Sequence, residues 1–143
     1  MTADLQRAKR MLDEGGFTCV LCRASDIYTS TDRGVKPLVR LIDSGCDLLG
    51  FCAADKVVGK ATAFLYVLMG VNSVYANVIS RPALAVLTQH EISTDYGCLV
   101  QNISNRRGDG VCPFENAVEG ESDANAAYTT VLNKMAEMNI SIY

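Results

Sequence analysis

Two residues with chemistry to offer, Cys112 and Glu115, stand three apart in the run Gly110-Val111-Cys112-Pro113-Phe114-Glu115. Pro113 suits the first position of a helix, which makes Cys112 the cap and sets Glu115 where the acid of a capping box would sit. The free N–H groups of a helix start stabilise a thiolate, and a nearby glutamate opposes the effect unless the backbone engages it. A cysteine so placed could attack an electrophilic carbon or carry a transferred group. It could equally be a small buried hydrophobe, which is how free cysteine commonly behaves.

A second group lies in Ala54-Asp55-Lys56-Val57-Val58-Gly59-Lys60. Reading a helix from Asp55 to Met69, Asp55 caps it, Lys56 and Lys60 project from one face, and Gly59 lets a ligand come close to the backbone. Backbone donors, the positive end of the helix dipole and two ammonium groups would together suit an anion. Solvated lysines beside an ordinary cap are the bland counterpart of that reading. A third helix start is Ser80-Arg81-Pro82-Ala83, where the hydroxyl can cap and the proline needs no hydrogen bond. Just ahead of Cys112, the pair Asn105-Arg106 brings an arginine that could grip a carboxylate or phosphate with two parallel bonds.

These residues define two functional expectations of different kinds. In a binding module, Lys56, Gly59, Lys60, Ser80, Asn105 and Arg106 hold a small anionic or nucleotide-like molecule. In a metal-free enzyme, Cys112 is the nucleophile, Lys56 or Lys60 stabilises developing negative charge, and Asp55 or Glu115 moves protons. Neither needs a cofactor, and no metal site is expected. Cys19-x-x-Cys22 falls on a strand, where residues three apart face opposite ways, one toward the core and one toward the surface. The sole histidine, His90, falls at a helix end. Arg107-Gly108-Asp109 and the sequons at Asn102 and Asn139 carry little weight without a secretion signal.

The elements that must position these groups come from 143 residues, 49% of them hydrophobic, with a net charge of −3. That size fits one domain over residues 1–143. No block of like charge offers a footprint for nucleic acid or an anionic membrane. The longest apolar run, near Ala61 to Val71, is well short of the ~20 residues that cross a bilayer. The opening residues mix both signs of charge in an amphipathic pattern, so a cytoplasmic location is expected and the six cysteines are expected as free thiols.

An amphipathic helix over Thr2 to Glu14 is stopped by Gly15-Gly16. The strand Phe17 to Arg23 and its hairpin partner Asp26 to Ser30 follow, then a helix through Leu38, Leu41 and Ile42 that ends at Gly45. Strand 47–54, helix 55–69, strand 73–79, helix 80–90 and strand 97–103 alternate, and a last helix is capped by Ser122. Alternation of this kind predicts an α/β fold of three layers, α/β/α, in which a mixed sheet carries helices on both faces. In such sheets ligands favour the crevice at the carboxyl ends of the strands, where helix N-termini point.

Gly34-Val35-Lys36-Pro37-Leu38, Ala54 to Ala61, Ser80 with Ala83-Leu84, Asn105-Arg106 and Cys112-Pro113-Phe114-Glu115 together resemble a family of uncharacterised bacterial and archaeal proteins, domain-of-unknown-function family 1893, over nearly the whole chain. The sequence departs from the family pattern at Thr62 and Phe114, where alanine and methionine are expected. The resemblance implies a cytidine-deaminase-like fold, and exposed strands in such folds often pair, which makes a homodimer an expectation. Zinc deamination is not implied. Its ligand motif, His or Cys two residues before a glutamate followed by Pro-Cys-x-x-Cys, is missing, and the corresponding helix starts carry Asp55-Lys56 and Ser80-Arg81-Pro82-Ala83.

Overall fold

The computed structural model describes residues 1–143. Thr2 caps the first helix by accepting from Leu5 N–H at 3.2 Å, and Gly16 ends it in the left-handed region at φ 73°. This helix, α1 (Ala3–Gly15), buries Leu5, Ala8 and Leu12 along one stripe, the spacing that an amphipathic helix requires. The hairpin β1 (Cys19–Arg23) and β2 (Asp26–Ser30) follows as expected, and α2 (Lys36–Asp43) admits Pro37 in its first turn.

From β3 (Cys52–Val58) onward strand and helix alternate: α3 (Lys60–Met69), β4 (Ser73–Ser80), α4 (Arg81–Gln89) and β5 (Ser93–Val100). The short helix α5 (Pro113–Ala117) and the closing helix α6 (Ala124–Glu137) complete the chain. The five strands form one mixed sheet in the order β2-β1-β3-β4-β5. β1 runs antiparallel to both neighbours, while β3, β4 and β5 are parallel, joined by α3 and α4 as crossovers.

Strand parity divides the interior. Cys19 and Leu21 of β1 belong to a core of 28 buried residues shared with α2, α3, α4 and α6; Val20 and Cys22 belong to a cluster of eight shared with α1. Helices therefore cover both faces of the sheet, and most apolar burial lies on one of them. The pair Cys19 and Cys22 does face opposite ways, but both thiols are buried, because α1 covers the face expected to meet water. All six cysteines are free thiols. No helix is long and apolar enough to cross a membrane.

Several boundaries differ from the sequence reading, each for a traceable reason. β3 starts at Cys52 and not at Asp47, because Asp47 accepts from Leu49 N–H in a local turn and Gly50 adopts φ 80°. It then runs on to Val58, so Asp55 is a strand residue paired with Cys19 and Ala76, not the cap of a helix. Lys56 and Lys60 accordingly do not share a helical face. β5 begins at Ser93, in register with Ser73 of β4, and ends at Val100. Asp123, not Ser122, caps α6, its carboxylate accepting from Ala126 N–H at 2.9 Å. His90 ends α4, its ring nitrogen 2.9 Å from the Val86 carbonyl.

Candidate functional site

At the carboxyl end of β3 the sheet opens. Pairing passes from Asp55↔Ala76 to Val57↔Val78 and leaves Lys56 out, so Lys56 and Val57 are exposed where Ala53 and Ala54 are buried. Because β1 is antiparallel to β3, its first residue, Cys19, and Thr18 just before it lie beside that same end. The connection from β2 to α2, the start of α3, the loop from Ile103 to Glu115 and the end of the chain near Met138 close the other sides. The result is a cleft of about 1300 Å³.

Asp55 forms its floor. By parity with Ala53 it points to the α3 side of the sheet, and only 9% of it is exposed. Its Oδ2 accepts from Tyr66 O–H at 2.6 Å and its Oδ1 from Val57 N–H at 3.2 Å. Tyr66 lies 3.3 Å from the Cys19 sulfur, and with the phenol proton given to the carboxylate, the thiol donates to the phenol oxygen. Burial raises the Asp55 pKa from 3.8 to about 6 against the opposing hydrogen bonds from Tyr66 and the backbone. Burial and the adjacent Asp55 charge also push the Tyr66 phenol and the Cys19 thiol well above their ordinary values.

Glu115 is equally buried, at 4% exposure, but its carboxylate is turned away from the helix that carries it. Oε2 accepts from Lys60 N–H at 2.8 Å and Ser80 O–H at 2.6 Å; Oε1 accepts from Ile103 N–H at 2.6 Å. It is not the acid of a local capping box: Cys112 N–H bonds to the Ile103 carbonyl instead. One glutamate thus caps α3, braces the cap of α4 and pins the loop before α5. Gly59 is what lets it approach, since a β-carbon there would lie 3.0 Å from Glu115 Oε2 and 3.2 Å from Ile103 Cγ1.

Of the nine expected site residues, Asp55, Lys56, Gly59, Asn105, Arg106, Cys112 and Glu115 line this cleft. Two do not. Ser80 is fully buried behind Glu115, where its oxygen also accepts from Ala83 N–H at 3.2 Å to cap α4. The Lys60 ammonium is committed to the Glu119 carbonyl at 2.7 Å. Asn105 shapes the loop: its amide donates to Asp109 at 2.9 Å, its oxygen accepts from Asp109 N–H, and Gly108 turns at φ 75°. That turn presents Arg106 and Arg107 to the cleft.

Cys112 caps α5 without a side-chain hydrogen bond, half-buried in the cleft wall, and of the two acids three residues from it Glu115 is tied to α3 and α4 and Asp109 to Asn105. No three side chains among His, Cys, Asp and Glu come together to hold a metal ion. Sequence reasoning missed the Tyr66–Cys19 support of Asp55 and the cations Arg33, Lys36 and Arg107. The first depends on strand register and on α3 packing. The second could have been found from Lys36 at a helix start and from Arg107 beside Arg106.

A family model described as "Domain of unknown function (DUF1893)" matches residues 7–135. Among solved structures, the chain is similar to a DUF1893 family protein from Thermotoga maritima determined by crystallography, with 29% sequence identity and a TM-score of 0.86 over 94% of this chain and 92% of that one. No curated protein matches the chain significantly.

Proposed function

The chain belongs to the DUF1893 family, a family of unknown function, and on that premise we propose that it is a single-domain binding module whose cleft holds a small anionic, nucleotide-like molecule without zinc. One observation carries the reading. Arg33, Lys36, Lys56, Arg106 and Arg107 all line the cleft, and none belongs to any of the six ion pairs in the molecule. Five unpaired cations around one concavity, in a chain of net charge −3, favour an anion there.

The acids nearby offset them only in part. Four carboxylates also line the cleft, Asp32, Asp55, Asp109 and Glu115, of which Asp32 faces Arg40 at 3.5 Å, so the five cations outnumber the three acids without an ion pair. Ile103, Phe114 and Met138 supply an apolar wall against which a flat or aliphatic body could rest. The mixed sheet between helical layers supports the cytidine-deaminase-like reading of the fold, which belongs to this same proposal, as does a cytoplasmic setting.

Thermal-shift and calorimetric titration with inorganic phosphate, nucleoside monophosphates, sugar phosphates and dicarboxylates test it. A bound anion should stabilise the fold by about 2.7 kcal/mol at a hundredfold excess over its dissociation constant. Binding should weaken as salt rises and be lost in the double variant Lys56→Glu/Arg106→Glu, with Lys134→Glu on α6, outside the cleft lining, as control. No stabilisation by any anion, or equal stabilisation of the double variant, would overturn the proposal.

A further inference from the structure

Resting on the anion-binding reading above, we infer that the floor of the same cleft takes a nitrogen donor: the ligand carries a protonated amine or an N–H group as well as its anionic group, and Asp55 is the residue that selects it.

The inference comes from what Asp55 lacks. Buried carboxylates are ordinarily paired with a cation, because hydrogen bonds alone do not restore the solvation that burial removes. Asp55 has two hydrogen-bond donors, Tyr66 O–H and Val57 N–H, yet takes part in none of the six ion pairs. The titratable groups it meets are Cys19 from β1 and Tyr66 from α3, both neutral acids that burial holds protonated. Lys56 follows it in the chain, exposed and outside ion-pair reach. The carboxylate nevertheless borders a cleft that Arg33, Lys36, Lys56, Arg106 and Arg107 also line.

Tyr66 holds the carboxylate in place from behind, and the Cys19 thiol holds Tyr66. The side facing the cleft is left to accept from a visitor. A nitrogen donor there would supply the missing partner of Asp55, while the rim cations meet the anionic group. The ligand class is then an amine- or N–H-bearing phosphate or carboxylate, and an anion that has only acceptors at its other end is discriminated against.

Two matched pairs of probes test this by calorimetry: O-phosphoethanolamine against ethyl phosphate, and adenosine monophosphate against purine ribonucleoside 5′-monophosphate, which lacks the exocyclic amine. The amine-bearing member of at least one pair should bind on the order of tenfold tighter. The preference should collapse toward unity in Asp55→Asn, and also in the unmodified protein as the pH falls from about 7.5 to about 5, where the carboxylate takes up a proton. The pH series needs no variant, so it stands even if Asp55→Asn folds poorly. Amine-free phosphates that bind with no amine preference in either pair would overturn this inference and leave the anion site standing. Failure of all four probes, of inorganic phosphate and of the sugar phosphates and dicarboxylates above would overturn both.

Discussion

Asp55 costs the fold stability whenever it is ionised. Its folded pKa, about 6, lies above the ordinary 3.8, so the native state holds this proton more tightly than the unfolded chain. The associated stability is fully present below about pH 4 and is lost as the pH rises through 6, at most about 3 kcal/mol in all. Asp55→Asn removes that dependence; its one oxygen serves either Tyr66 or Val57 and its amide opposes the other, a cost that does not change with pH. Relative to the unmodified protein, the variant should therefore gain up to about 3 kcal/mol between pH 4 and pH 7, read from urea unfolding at the two values. A difference that does not change with pH would show the carboxylate to be solvated. Residue types announced Asp55 as a candidate, but its support was not legible. Cys19 and Tyr66 lie 36 and 11 residues away in sequence, and only the Cys19↔Asp55 register and the packing of α3 bring them to it.

At the scale of elements, α3 is a helix whose N-terminal cap comes from elsewhere in the chain. Gly59 offers no side chain, and Glu115, 55 residues away from Lys60, supplies the acceptor. Glu115→Gln puts an amide donor among three donors, so a loss of about 2–4 kcal/mol is expected from one broken and one opposed hydrogen bond, seen as a Tm lower by about 10 °C. Gly59→Ala should also destabilise, since the new β-carbon meets Glu115 Oε2 at 3.0 Å. The two effects belong to one contact, so Gly59→Ala should cost less in a Glu115→Ala background, with a coupling of about 0.5–3 kcal/mol in a double-mutant cycle. Additive costs would mean that the approach of Glu115 is not what requires glycine. Cys112-Pro113-Phe114-Glu115 correctly signalled a helix start, yet a capping motif read locally assigns the acid to its own helix. The Asp55–Gly59 stretch misled for a related reason: a polar pair before an apolar run resembles a cap, and only pairing with Thr18, Cys19 and β4 shows that the strand continues to Val58.

For the whole molecule, the sheet divides unequal amounts of buried surface, with 28 buried residues in the core on the side of α2, α3, α4 and α6 against eight in the cluster it shares with α1. Alternating strand and helix periods made the layered α/β fold legible. The inequality was not, because a strand with both faces buried, such as Cys19 to Cys22, does not reveal which helices cover each side. The cleft draws its residues from the larger core's side of β3 and from the loops beyond it, whereas α1 packs against the opposite face. α1 should therefore open more readily than the rest, as a separate cooperative unit. Leu65, fully buried within α3, provides the test: Leu65→Ala should cost about 2–5 kcal/mol by weakening the larger core while leaving the contacts of α1 intact. In native-state hydrogen exchange, amides of α3 and β4 should then speed up on the order of tenfold or more, while those of α1 keep their rates. Equal acceleration in α1, α3 and β4 would instead make the sheet and both of its helical layers a single unit, so that ligand binding in the cleft would protect α1 as strongly as α3.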